Sequence, residues 1–190
     1  MLDKRIPYYE VWMTRSGGKP IPPASLAKGF HFIHYRQGDE IEWAKIESSV
    51  SEFSDEQEAL AYFSQAFAPF PTQLSKRMLF IENEHGEKVA TCTAWWKNVN
   101  GMTVPLLHWL AVKPQFQRKG LAAALVAKVT SSLSEAGPEA VIYLHTQTWS
   151  HQAIQLYKKF GYELSPLNLD GSKNEDYQKV LHILGEQETN

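Results

Sequence analysis

The chain has 190 residues, a length that fits one domain with a hydrophobic core of its own. Its formal net charge of −2 gives no general attraction to nucleic acid or to an anionic membrane surface. The single cysteine, Cys92, excludes an intrachain disulfide framework and favours a reducing compartment.

The first half of the sequence predicts two strands followed by two helices. The strands are expected at residues 8–14 and 30–35. Capping-box pairs would begin the helices and prolines would end the second one: Asp39 with Glu42, Ser54 with Gln57, and then Pro69 and Pro71.

The second half predicts a run of strands interrupted by two helices. Strands are expected at residues 78–81, 88–96, 103–112, 140–145, 162–164 and 177–184, and helices at residues 121–137 and 150–160. The whole pattern, residues 1–190, indicates a single α/β domain. Its sheet is predicted to be mixed and mainly antiparallel, with about seven strands flanked by about four helices.

The most informative segment is residues 106–122, which read Leu-Leu-His-Trp-Leu-Ala-Val-Lys-Pro-Gln-Phe-Gln-Arg-Lys-Gly-Leu-Ala. It predicts a strand, a short basic turn and the start of a helix. Gly120 allows close approach of the backbone to a ligand, and the amides of the first helical turn are free to bind it. With the helix dipole and two cations, Arg118 and Lys119, the turn suits a pyrophosphate. The alternative is a capped helix start with two solvated cations.

Two sequence blocks resemble a known family. Residues 117–122, Gln-Arg-Lys-Gly-Leu-Ala, match the (Arg/Gln)-x-x-Gly-x-(Gly/Ala) signature of the GNAT superfamily of acyl-CoA-dependent N-acyltransferases. Residues 153–162, Ala-Ile-Gln-Leu-Tyr-Lys-Lys-Phe-Gly-Tyr, resemble that family's second block, Ala-x-x-Leu-Tyr-x-x-x-Gly-(Phe/Tyr). The two blocks in this order and spacing are more specific than either alone. The resemblance implies a GNAT-like fold with an acetyl-CoA-binding core at about residues 104–164.

The resemblance also implies which residues bind acetyl-CoA as the cosubstrate. Backbone groups at a strand bulge would hold the pantetheine arm, and the basic turn with the helix start would hold the pyrophosphate. The residues are Leu110, Ala111 and Val112 for the first role and Gln117, Arg118, Lys119, Gly120, Leu121 and Ala122 for the second. Ser150 stands where the family often has Asn, so it either caps the following helix or hydrogen-bonds the pantetheine.

Acyl transfer to an amine requires a neutral nucleophile, a polarised carbonyl and a protonated leaving group. The resemblance places Tyr157 beside the thioester sulfur, where its phenol would protonate the leaving thiolate; the alternative is a core aromatic residue. The backbone amide of Leu110 is a candidate donor to the developing oxyanion. His108 lies four residues before Val112, so it is predicted on the same strand face and is the candidate base. The alternative is a buried histidine bonded to backbone.

The acceptor is less well defined by the sequence. Eight acidic residues lie between positions 39 and 58. This pattern favours a solvated helix face; the alternative is that these acidic residues attract a cationic amine. The predicted function is transfer of acetyl from acetyl-CoA to a primary amine, a small molecule, by direct attack in a ternary complex. The alternatives are a protein N-terminal or lysine acetyltransferase and a non-catalytic acyl-CoA-binding module.

The expected partner is therefore a small-molecule amine, with a homodimer left open and with neither nucleic acid nor a membrane expected. No metal is predicted, because no His, Cys or Asp grouping has the spacing of a zinc site. The N-terminus lacks the apolar segment of a signal peptide, and the longest apolar run, residues 121–127, is too short to span a membrane. A cytoplasmic location is expected.

Overall fold

The structure, a computed structural model, describes residues 2–186; residue 1 and residues 187–190 of the predicted domain lie outside that range. Its strands are β1 (Glu10–Ser16), β2 (Phe30–His34), β3 (Met78–Asn83), β4 (Lys88–Val99), β5 (Met102–Val112), β6 (Val141–Gln147) and β7 (Glu163–Leu164). Its helices are α1 (Glu40–Ser49), α2 (Glu56–Ala66), α3 (Pro71–Arg77), α4 (Leu121–Ser134), α5 (His151–Lys159) and α6 (Tyr177–Leu184).

The strands form one sheet in the order β2-β3-β4-β5-β6-β1-β7. β1 pairs antiparallel with β6 and β7, and β3 pairs antiparallel with β2 and β4. β5 and β6 run parallel, with Leu106 opposite Tyr143. The helix between these two strands supplies the crossover that a parallel pair requires. The predicted mixed, mainly antiparallel sheet of seven strands is confirmed, and the described residues form six helices rather than about four.

The chain divides into two compact units. The first unit comprises Met1–Pro22, Trp96–Leu107 and Leu133–Asn190, and the second comprises Pro23–Trp95 and His108–Ser132. Because β4, β5 and α4 each pass from one unit to the other, neither unit is a continuous stretch of sequence. No helix in the described part of the chain has the length and apolarity needed to cross a membrane.

One predicted secondary-structure element is wrong, and one helix was not predicted. The strand predicted at residues 177–184 is the helix α6, because Tyr177, Val180, Leu181 and Leu184 have helical spacing and Gly185 ends the segment in a left-handed conformation, φ +68°. Pro71 does not only stop a helix: it also begins α3, since proline is tolerated in the first helical turn.

The capping boxes differ from the prediction as well. Asp39 makes no side-chain cap of α1, since its carboxylate instead accepts from the amide of Arg36. At α2 the cap lies one residue later than expected: Asp55 accepts from the Glu58 amide at 2.9 Å, and the Glu58 carboxylate accepts from the amide of Ser54.

Candidate functional site

Strand β5 changes its backbone conformation at Trp109, which has a φ of +51°. A bulky residue in the left-handed region costs on the order of 1–3 kcal/mol, so its surroundings must hold it there. This conformation is typical of the first residue of a β-bulge, which interrupts the ladder of strand hydrogen bonds. The conformation lies one residue before the predicted bulge at residues 110–112.

A bulge at Trp109 also changes the strand face on which the His108 side chain is expected. An extra residue in a strand reverses the alternation of side-chain faces, so His108 and Val112 need not share a face. The His108 ring lies 6.1 Å from the Phe67 ring and 5.4 Å from the Trp109 ring. The thiol of Cys92 on β4 donates to the His108 carbonyl at 3.8 Å. The imidazole is thus half-buried among aromatic rings, and its role as base stays a prediction.

The side chain of Trp109 belongs to an aromatic cluster, defined as Trp43, Phe53, Tyr62 and Trp109. The Trp109 ring lies 5.2 Å from Phe53, 5.0 Å from Tyr62 and 5.5 Å from Trp43. Its indole N–H donates to the Tyr62 hydroxyl at 3.2 Å. Edge-to-face and offset ring pairs of this kind stabilise a packed arrangement beyond the area they bury. The cluster therefore holds Trp109 in its strained conformation.

The basic turn after β5 has the backbone of an anion-binding loop. Gln117 is extended, Arg118 has a φ of +61°, and Gly120 has a φ of +79°. Left-handed residues within a tight turn direct successive amides toward one side, which makes a concave nest for an anion. The side-chain amide of Gln117 donates to the Val112 carbonyl at 3.0 Å and fixes the turn to the end of β5.

Helix α4 begins directly after this turn. The Ala124 amide donates to the Gly120 carbonyl at 3.0 Å, so Gly120 is the residue from which the helical hydrogen bonding starts. The amides of Leu121, Ala122 and Ala123 therefore have no acceptor within the helix. They lie at the positive end of the helix dipole. A Cβ placed on Gly120 would meet no atom within 4 Å. This open space beside free amides fits a pyrophosphate group.

The two cations of the turn have different surroundings. Arg118 and Lys119 are both exposed. The Lys119 ammonium lies 5.4 Å from the centre of the Phe116 ring and 5.9 Å from that of Phe30, within cation–π range. Lys119 is therefore oriented by two rings, whereas the role of Arg118 rests on its charge and its place in the turn.

Tyr157 and Ser150 lie in the first unit, on and just before α5. Tyr157 is buried, with 6% of its surface exposed, and its ring lies 6.1 Å from that of Tyr162. Ile154, Tyr157 and Phe160 are all buried at a spacing of three residues, which indicates one face of the helix. Ser150 makes no side-chain cap of α5, so the capping role is wrong and a pantetheine contact stays a prediction.

The end of α5 is fixed by a buried cation. Arg15 on β1 is 1% exposed, and its guanidinium donates to the Phe160 carbonyl at 2.8 Å. Its other nitrogens donate to the carbonyls of Ser16, Lys19 and Pro20. A cation at a helix C-terminus is favoured by the dipole, and here it also satisfies buried acceptors. Arg15 therefore positions the helix that carries Tyr157.

Glu47 on α1 is a residue that the sequence did not single out. It is 1% exposed, whereas Glu52, Asp55, Glu56 and Glu58 of the same acidic stretch are exposed. Burial raises the pKa of Glu47 well above its ordinary value, and the charge of Glu52 raises it further. The available signal was its position four residues after Trp43, on the apolar face of the predicted helix.

The predicted site residues are thus divided between the two units. The second unit contains His108, Trp109 with its left-handed conformation, the basic turn and the start of α4, whereas Tyr157 and Ser150 belong to the first unit. Within residues 2–186, no group of three or more His, Cys, Asp or Glu side chains could hold a metal ion.

Solved structures share this fold at low sequence identity. A GCN5-related N-acetyltransferase from Sphaerobacter thermophilus has a TM-score of 0.61 at 20% identity, over 84% of this chain and 50% of that chain. A GCN5-related N-acetyltransferase from Kribbella flavida has a TM-score of 0.52 at 20% identity, over 81% of this chain and 53% of that chain. This chain therefore spans about half the length of both structures.

The sequence comparisons identify the family. No curated protein sequence matches the chain significantly. The sequence pattern of the acetyltransferase (GNAT) family matches residues 39–162, which include β5, the basic turn, α4 and α5. Since this match covers more than half of the 190 residues, the chain belongs to the acetyltransferase (GNAT) family, whose members are acyltransferases that take the acyl group from acetyl-CoA.

Proposed function

We propose that this protein transfers the acetyl group of acetyl-CoA to the nitrogen of a primary amine, a small molecule, by direct attack in a ternary complex. The observation that carries the proposal is the order in which three backbone features follow one another in the second unit. The strained residue Trp109 is followed by the anion-binding turn at residues 117–120 and by the free amides of α4. Membership of the GNAT family supports the acyl donor.

The turn and the helix start have the chemistry that a pyrophosphate needs. The amides of Leu121 and Ala122 donate, Gly120 leaves room for the phosphate oxygens, and Arg118 adds positive charge. Lys119 adds a second charge beside the Phe116 ring. Backbone groups of residues 110–112 are assigned to the pantetheine arm, because a bulge releases strand amides and carbonyls from their ladder.

Bound acetyl-CoA supplies the acetyl group as a thioester. The amine must be neutral when it attacks, and His108 is assigned as the group that takes its proton. The backbone amide of Leu110 is assigned as the donor to the oxyanion that develops on the carbonyl. The C–N bond forms when the amine adds to the carbonyl, and the C–S bond breaks when the oxyanion collapses and the carbonyl forms again. Tyr157 is assigned as the group whose phenol gives its proton to the departing sulfur.

The test is a panel of primary amines and of peptides with free N-termini or lysines, assayed for release of free CoA. The proposal expects amine-dependent release with at least one small amine and no comparable release with peptides. Release with peptides alone would instead favour the protein N-terminal or lysine acetyltransferase. Binding of acetyl-CoA without release for any amine or peptide would contradict the proposal.

A further inference from the structure

A set of buried polar atoms in the second unit has no hydrogen-bond partner among residues 2–186. Both carboxylate oxygens of Glu47 and the indole nitrogen of Trp43 are buried and make no hydrogen bond among the described residues. Glu47 is 1% exposed and Trp43 is fully buried. Buried polar atoms are almost always hydrogen-bonded, and an unpaired buried carboxylate is especially unfavourable. The Glu47 carboxyl therefore calls for a hydrogen-bond donor that the described part of the chain does not supply.

These orphaned atoms lie on one face of a helix. Trp43 and Glu47 are four residues apart on α1, so their side chains are neighbours along the helix. Burial raises the pKa of Tyr62, and the charge of Glu47 raises it further; the same charge acts on the thiol of Cys92. The Glu47 carboxyl therefore lies near both Tyr62 on α2 and Cys92 on β4.

The same region is bounded by aromatic rings and by the strained strand. Trp43 lies 6.2 Å from Tyr62 and 5.5 Å from Trp109, and the Tyr62 hydroxyl accepts from the Trp109 indole. Cys92 contacts the carbonyl of His108, the residue before Trp109. Tyr62 and Cys92, the two groups on which the Glu47 charge acts, thus contact Trp109 and His108, which directly precede the residues assigned to the pantetheine, 110–112. Phe53, Tyr62 and Trp109 are only half-buried, so the aromatic cluster keeps an exposed edge.

We propose that Glu47, together with the ring faces of the aromatic cluster, binds the ammonium group of an acceptor amine that carries an aromatic or apolar body. This inference rests on the proposed function and names its acceptor class. When the ammonium binds, Glu47 releases the proton that burial keeps on it, and the resulting carboxylate pairs with the cation by charge-assisted hydrogen bonds. Aromatic faces attract the same cation. The rings also bury the body of the molecule. A neutral acceptor of the same shape gains only from the burial of its body between the rings, since it has no charge to pair with Glu47.

The experiment measures calorimetric binding to the CoA-loaded protein with two matched probes, 2-phenylethylamine and 2-phenylethanol. Wild-type protein is expected to prefer the amine. Glu47→Gln keeps the shape of the side chain but cannot ionise to pair with the cation, so it should weaken amine binding by about 10- to 100-fold and leave the alcohol unchanged. The control Glu56→Gln removes a carboxyl from an exposed position on α2 and should behave as wild type.

A second variant, Glu47→Met, repeats the test with an apolar side chain of similar volume, and circular dichroism verifies the fold of each protein. Equal amine binding by wild type and Glu47→Gln overturns the inference, as does a wild-type protein that does not distinguish the amine from the alcohol. Free-CoA release separates this inference from the proposed function. Glu47-dependent amine binding without acetyl transfer contradicts the function alone, whereas transfer that is indifferent to Glu47 contradicts the inference alone.

Discussion

Replacing Glu47 with glutamine is expected to stabilise the protein by an amount that grows with pH. In the unfolded chain the carboxyl ionises near its ordinary pKa of 4.5, whereas burial raises that pKa in the folded protein. Between these two values the folded state retains a proton that the unfolded state has lost. The wild type is therefore most stable below pH 4.5 and loses stability as the pH rises toward the folded pKa.

The size of the effect follows from the single proton involved. The free energy of unfolding of wild type should fall relative to Glu47→Gln by about 1.4 kcal/mol for each pH unit in this window. For a protein of this size, 1 kcal/mol corresponds to about 2–4 °C in Tm. The Tm difference between the two proteins should thus widen by about 3–6 °C per pH unit. Glutamine has no ionisation and contributes no such slope.

The assay is a set of urea and thermal unfolding curves for wild type, Glu47→Gln and Glu56→Gln from about pH 5 to about pH 8. The control variant removes an exposed carboxylate and should run parallel to wild type at every pH. Glu52, Tyr62 and Cys92 are the titratable groups coupled to Glu47, and the latter two stay neutral across this range because their pKa values are raised. A difference between wild type and Glu47→Gln that does not change with pH would refute the reasoning.

Three further substitutions test other parts of the site. Gly120→Glu should abolish acetyl-CoA binding by calorimetry, because it fills the space beside the α4 amides; Gly86→Glu, at a similar φ of +77° in open space, should retain binding. Tyr157→Phe should lower kcat by about 10²–10⁴ with little change in acetyl-CoA affinity, whereas Tyr162→Phe should not. Arg15→Met should reduce the urea-derived free energy of unfolding by about 2–5 kcal/mol, whereas Arg5→Met, at an exposed position, should leave it nearly unchanged.

For each of these substitutions, one outcome would contradict the role assigned to the residue. Equal acetyl-CoA affinity in Gly120→Glu and Gly86→Glu would show that the turn at residue 120 does not hold the cofactor. Full kcat in Tyr157→Phe would show that a group other than Tyr157 protonates the departing thiolate. Similar stability losses for Arg15→Met and Arg5→Met would show that the buried guanidinium does not hold the end of α5.

The parts of the site that the sequence predicted are those built from local backbone chemistry. The segment from Leu106 to Ala122 contains a strand, a glycine turn and a helix start within 17 residues, so neighbouring residues alone specify it. The left-handed conformation of Arg118 and Gly120 follows from the same turn. Such features need no knowledge of distant contacts.

The features that the sequence did not predict depend on distant residues. Trp109 adopts a conformation that its own side chain disfavours, and the rings that hold it come from α1, α2 and the chain between them. Glu47 belongs to a stretch of acidic residues whose other members are not buried, and its own burial accompanies the packing of α1 against α2. The segment 177–184 combines aromatic and aliphatic residues that suit a strand. It forms the helix α6 instead, which contacts β1 and residues 148–150.

The most direct test of acetyl transfer is a single-turnover reaction of wild-type protein with acetyl-CoA and the best small amine of the panel, followed by mass spectrometry of both the amine and the protein. Direct attack in a ternary complex predicts N-acetylated amine in amounts that match the CoA released, with no acetyl group on the protein at any time and no product from Gly120→Glu. Acetylated protein that forms before the amine is added, or CoA release without N-acetylated amine, would contradict it.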